Sequence, residues 1–133
     1  MSDTRIILGL PDYRRLSGAV AAVKAKRRPM ELHMKKLAQE LETANIVEGD
    51  ELPENAVAIG SVIQLLDMEN GEAFETKLVF PAELDGTQAT TSVLSPIGAA
   101  MIGERTGKII SCVTPSGEKR FKLEGVLLSA ENQ

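Results

Sequence analysis

TTSVLSPIGAAMIGERTGK, residues 90–108, holds a strand, a forced turn and a short apolar helix within nineteen residues. Thr90, Thr91 and Val93 are β-branched and favour an extended chain, while Pro96 fixes its own φ and pushes Ser95 out of the α region. Ser95 is therefore placed as a helix N-cap. Pro96 fits the first helical position, where its missing N–H would have had no partner. Ile97, Met101 and Ile102 can share one helix face, and Gly103 and Gly107 bracket the exit as stop and turn residues. The chemistry of the stretch is steric, and a unit of this kind can also serve only to build a core.

Working outward, Val57 to Ile59 and Ser61 to Leu66 read as extended, Glu69-Asn70-Gly71 as a hairpin turn and Phe74 to Phe80 as a strand. Asp85-Gly86 supplies another turn. After the helix, residues 108–114, the turn Pro115-Ser116-Gly117 and residues 118–128 make a final hairpin with Phe121, Leu123 and Val126 facing inward. This order predicts a strongly bent antiparallel sheet wrapped on one short helix.

The N-terminal third has a different period. Residues 5–10 form a short apolar lead, and Pro11-Asp12 opens a helix on which Tyr13, Leu16, Ala19, Val20 and Val23 make a narrow apolar stripe. Pro29 starts a second helix, to about Ala44, with Met30, Met34, Leu37, Leu41 and Ala44 at coiled-coil spacing. Two short helices joined by a few residues close most simply as an antiparallel hairpin that protrudes, although a methionine-bearing seam also suits a core under the sheet. The acidic segment 48–55 marks the boundary. The expected class is α+β, with residues 1–46 as a short coiled-coil hairpin and 47–133 as the sheet domain.

Residues 92–98 followed by Ala99-Ala100-Met101-Ile102-Gly103 and Gly107 resemble the signature of the C-terminal domain of the Gre transcript-cleavage factors and, most closely, of their relative Rnk, the regulator of nucleoside diphosphate kinase. Residues 71–81 (GEAFETKLVFP) are similar to the family's hairpin strand, and residues 114–126 to its closing hairpin. The resemblance implies an FKBP-like domain and a partner, RNA polymerase, met at the rim of its secondary channel. The family's docking loop maps onto Ser95, Pro96, Ile97 and Gly98, residues that equally serve to cap the helix. The name Rnk also implies an indirect effect on the level of nucleoside diphosphate kinase.

Two activities carried by such folds find no residues here. An FKBP prolyl-isomerase pocket needs a nest of aromatic rings, yet the chain has no Trp, one Tyr and three Phe. Gre-type cleavage uses two carboxylates at the tip of a long hairpin to help hold a second Mg²⁺, because carboxylate oxygens suit a hard cation. This tip reads Lys24-Ala25-Lys26-Arg27-Arg28-Pro29, without an acid between Asp12 and Glu31, on much shorter arms. The expectation is a non-enzymatic factor that competes with Gre-type proteins without stimulating cleavage. A protein-interaction module with another partner and a weak cleavage factor stand as alternatives.

Composition bounds the rest. The net charge of −4 hides an uneven distribution: residues 1–36 hold nine Lys/Arg against three acids, and the remainder six against sixteen. Lys24, Lys26, Arg27 and Arg28 either contact acidic groups near the channel mouth or form solvated surface. Without interleaved aromatics they are a weak nucleic-acid signal, so direct DNA or RNA binding is expected to be weak at most. Cys112 is the only cysteine and His33 the only histidine, which excludes an internal disulfide and argues against a Cys/His zinc site. Cys112 reads as a buried inert thiol, and His33 as a polar-face residue without a catalytic role. No metal, cofactor, small-molecule substrate or membrane partner is expected; the chain reads as a cytoplasmic monomer without a signal peptide or membrane span.

Overall fold

Two three-residue parallel strands clamp the base of the helical hairpin: β1, Ile7–Gly9, pairs with β2, Asn45–Val47, with Leu8 opposite Ile46. A computed structural model describes residues 5–26, 28–84 and 89–127. The apolar lead is thus a strand, with Ile6 and Leu8 each about 1% exposed. Between the strands run α1, Leu10–Lys24, and α2, Leu32–Thr43. Gly9 precedes α1 in an extended conformation, and Pro11 and Asp12 occupy its first turn. α2 starts three residues after Pro29, because Glu31 stays extended as its N-cap and Met30 folds back against the core. The expected helical turn at residues 29–31 is therefore absent.

The sheet has the order β5-β4-β3-β7-β6, built from β3 (Val62–Asp67), β4 (Ala73–Val79), β5 (Thr90–Ser92), β6 (Ile109–Thr114) and β7 (Gly117–Leu127). Three pairings are antiparallel, and the β4–β5 pair is parallel, Leu78 lying opposite Thr91. The sheet is thus mixed at that edge. A register shift between Gln64 and Leu65 against β7 helps curl it, since a bulge adds local twist. Residues 57–59 do not join the sheet; the Val57 N–H donates to the Glu104 carbonyl (2.8 Å) and its carbonyl accepts from Gly103 (3.0 Å). The turns at Gly71 and Gly117 sit where expected, both with φ in the left-handed region. Asp85-Gly86 and Leu128 lie outside the described residues.

Helix α3, Pro96–Met101, fills the concave side. Its Ala99 and Met101 share one buried cluster with Ile63, Leu65, Leu78 and Leu123 of the sheet and with Leu16, Val20, Met34, Leu37 and Leu41 of the hairpin. The hairpin seam therefore closes on itself and on the sheet domain together. Each large side chain so buried contributes roughly 1.5–3 kcal/mol. Among the described residues no helix is long and apolar enough to cross a membrane.

Candidate functional site

A set of short hydrogen bonds fixes the turn at residues 92–98. Val93 N–H donates to the Val79 carbonyl at 2.8 Å, tying β5 to β4. Ser92 then holds the corner: its carbonyl accepts from Ser95 N (3.0 Å) and Ser95 Oγ (2.7 Å), and its Oγ accepts from Leu94 N (3.1 Å). Ser95 is extended, φ −78° and ψ 163°, and its Oγ accepts from Gly98 N at 3.1 Å. It is the N-cap that the Ser-Pro pair dictates, with Pro96 opening the helix.

Gly98 has a steric role. A Cβ at this position would stand 1.9 Å from the Ser92 carbonyl oxygen and 2.9 Å from the Val93 Cα, so only glycine lets α3 lie this close to the chain leaving β5. Gly98 is buried and presents no surface, whereas Ser95, Pro96 and Ile97 are half-exposed. Ile97 packs its inner side against the core, and Ile102, just past the helix, is fully buried.

The hairpin is fastened to this corner by a residue that the sequence pattern assigns to a polar face. His33 Nε2 lies 2.8 Å from the Leu94 carbonyl. A carbonyl only accepts, so Nε2 carries a proton and donates. Its Nδ1 faces Glu31 at 3.6 Å, and the ring is largely buried. α1 is anchored on the other side: Asp12 Oδ2 accepts from Ile59 N at 3.0 Å. Arg15 stacks its guanidinium 4.2 Å from the Phe80 ring centre and reaches Glu83 at 3.4 Å. Burial pushes the Asp12 carboxyl up, against the lowering effects of the Ile59 hydrogen bond and Arg15.

At the hairpin tip Lys24, Lys26 and Arg28 are exposed, and among the described residues no carboxylate stands within ion-pair distance of them. Arg27 lies outside the described residues. A cleft of about 300 Å³ runs from the tip to the Ser-Pro corner, with Lys26, Arg28 and Met30 at one end and His33 and Leu94 at the other. Two sequence-predicted features, the turn and the basic tip, therefore border one depression. The chain between Met30 and His33 bridges them, which local pattern alone does not reveal.

A second cluster joins α2 to the exit of α3. Burial, followed by the charge of Glu104, pushes the Glu40 carboxyl up to about 7, against Lys36 and Lys108. Glu104 is also pushed up by burial, with the same two lysines opposing. Cys112 is buried as expected, and burial raises its thiol pKa.

Residues 52–127 match the family described as "Transcription elongation factor, GreA/GreB, C-term". Transcription elongation factor GreA from Syntrophobacter fumaroxidans is 33% identical over 102 residues, covering 77% of this chain and 65% of that protein. GreA from Acetivibrio thermocellus is 35% identical over 83 residues, covering 62% and 52% respectively. The chain thus spans about half to two-thirds of the length of these relatives. Among solved structures, a GreA/GreB elongation factor from Nitrosomonas europaea superposes with a TM-score of 0.76 at 25% identity, covering 94% of this chain and 99% of that one. Thermus aquaticus Gfh1, at TM-score 0.50 and 22% identity over 94% of this chain and 99% of its own, shares the fold.

Proposed function

Because the chain belongs to the GreA/GreB transcription elongation factor family, we propose that it binds RNA polymerase at the rim of the secondary channel through Ser95, Pro96 and Ile97, competes there with Gre-type factors, and acts as a non-enzymatic modulator of the Rnk type. The observation that carries this reading is the single cleft bordered by Leu94 of the Ser-Pro corner and by Lys26 and Arg28 of the tip. A turn already fixed by four hydrogen bonds loses little conformational freedom on docking. Gly98 supports that turn from beneath, as a spacer.

The same geometry supports binding without stimulated cleavage. The arms of the hairpin are 15 and 12 residues long, and the tip between them is basic. Helices of this length extend roughly 20 Å at 1.5 Å per residue, and lysine and arginine at their end repel Mg²⁺. Direct nucleic-acid contact is not required, and any effect on nucleoside diphosphate kinase is indirect, through transcription. The test is a backtracked elongation complex with end-labelled RNA: binding without shortening of the transcript is expected, and Mg²⁺-dependent shortening would overturn the non-cleaving assignment.

A further inference from the structure

Among the described residues the sheet ends at β6, which has β7 on one side and no strand on the other. Alternate residues of an antiparallel ladder turn both backbone groups away from their partner strand, so β6 presents a row of donors and acceptors on its open side. Among the described residues, none of residues 109–113 has a backbone hydrogen bond outside the β6–β7 ladder. Open edges are ordinarily blunted by charges, prolines, bulges or short length. β5, at the other edge, is three residues long; β6 runs Ile-Ile-Ser-Cys-Val-Thr in unbroken register over six pairs, with no charge or proline.

Beside this edge lies a groove of about 390 Å³, lined by Leu32 and Glu40 of α2, Pro96 and Ala100 of α3, and Ser111 and Val113 of β6. Leu32 is 72% exposed and Val113 61%, values that leave most of each side chain in water. An open strand edge, a helix beside it and a groove lined in part by the apolar side chains of Leu32, Pro96, Ala100 and Val113 form the arrangement in which an extended chain adds as a further strand, its alternate side chains entering the groove. A second copy of the sheet has a helix in its way, because α2 stands beside the open edge. The charges select the occupant further: Glu31, Glu40 and Glu118 line the groove against Lys36, with Lys108 also near Glu40. Glu40 is half-buried and is driven toward its neutral form, so a cation brought beside it would restore its charge.

We propose that the groove between α2 and the open edge of β6 takes an extended segment of a partner protein, with β-branched or other apolar residues alternating along it and a lysine or arginine directed at Glu40. The groove shares Pro96 with the polymerase contact, but its assignment needs no polymerase.

Random heptapeptides displayed on phage are selected on the folded chain and, in parallel, on Ala100→Phe, which fills the groove. A synthetic peptide of the enriched sequence is then titrated into ¹⁵N-labelled protein. Enrichment of apolar peptides containing lysine or arginine is expected, with amide shifts at Ser111, Cys112 and Val113. Binding should weaken at least about tenfold in Val113→Glu and about threefold in Glu40→Gln. Val113 and Glu40 have side chains in contact with water, so these variants keep the test open should Ala100→Phe not fold. No enrichment, equal enrichment on a folded Ala100→Phe, acidic consensus peptides, or shifts confined to another face would overturn the proposal. So would a dimer, seen by sedimentation, that Val113→Glu abolishes, since a second copy would then be the occupant.

Discussion

His33 Nε2 donates to the Leu94 carbonyl at 2.8 Å, across 61 positions of sequence, and so ties the second arm of the hairpin to the residue just before the Ser-Pro cap. Removing the ring leaves a half-buried carbonyl without its donor, a loss of about 1–2 kcal/mol. His33→Ala should lower the urea midpoint by a corresponding amount and increase amide exchange at Leu94 and Ser95. His33→Gln, which can still offer an N–H, should recover part of the loss. An unchanged midpoint in His33→Ala would show that this hydrogen bond does not help to hold the hairpin.

The glycines give a contrast within one chain. Gly98→Ala places a Cβ 1.9 Å from backbone that cannot move aside, and the expected loss is about 3 kcal/mol or more. Gly18→Ala, in the middle of α1 with nothing within 4 Å of its added Cβ, should gain about 0.5–1 kcal/mol. Thermal melts of both variants check the pair. A mild effect of Gly98→Ala would mean that α3 can lift off the strand.

Glu40 and Glu104 set the sign of the pH dependence. A folded pKa raised to about 7 from 4.5 means that the native state still holds a proton that the unfolded chain has released. The stability is complete below the unfolded value and is lost as pH rises through about 7; the raised carboxyls of Glu104 and Asp12 act in the same direction. The protein should be more stable near pH 5 than near pH 8, by on the order of 1 kcal/mol once solvent screening of these half-exposed groups is allowed for. Glu40→Gln should flatten the profile and stabilise the alkaline side. Urea midpoints at the two pH values decide it, and a midpoint that rises with pH would contradict the assignment.

What the chain discloses by itself depends on how local each interaction is. Ser95 and Pro96 announce their cap because the cap oxygen and the N–H that donates to it are three residues apart, and Met34, Leu37 and Leu41 announce the seam through their spacing. The β1–β2 pair is hidden: strands of three residues carry no readable alternation, and Leu8 meets Ile46 only after the whole hairpin has folded. The parallel pairing of β4 with β5 is hidden for the same reason. His33 reads as a surface residue because its partner is a backbone carbonyl, which leaves no trace in residue type. The groove beside β6 is legible only in part, since an uncharged edge strand shows in sequence but the neighbouring α2 does not.

Pro96→Ala separates the cap from the docking surface. Ser95 Oγ still caps Gly98 N in the variant, so the melting temperature should change little. Affinity for core RNA polymerase should fall about tenfold if the rigid turn is a contact. Ser95→Ala, in contrast, should lose about 1 kcal/mol of stability with the cap. Unchanged polymerase affinity in folded Pro96→Ala would move the interface to another face.

The most direct test is displacement of fluorescently labelled GreA from core RNA polymerase by this chain, at low and at physiological salt. The account predicts full displacement by the folded wild-type chain. It also predicts weaker competition at the higher salt, with that salt dependence reduced when Lys24, Lys26, Arg27 and Arg28 are replaced by glutamine. GreA that stays bound at saturating concentrations of folded protein would contradict binding at the secondary channel.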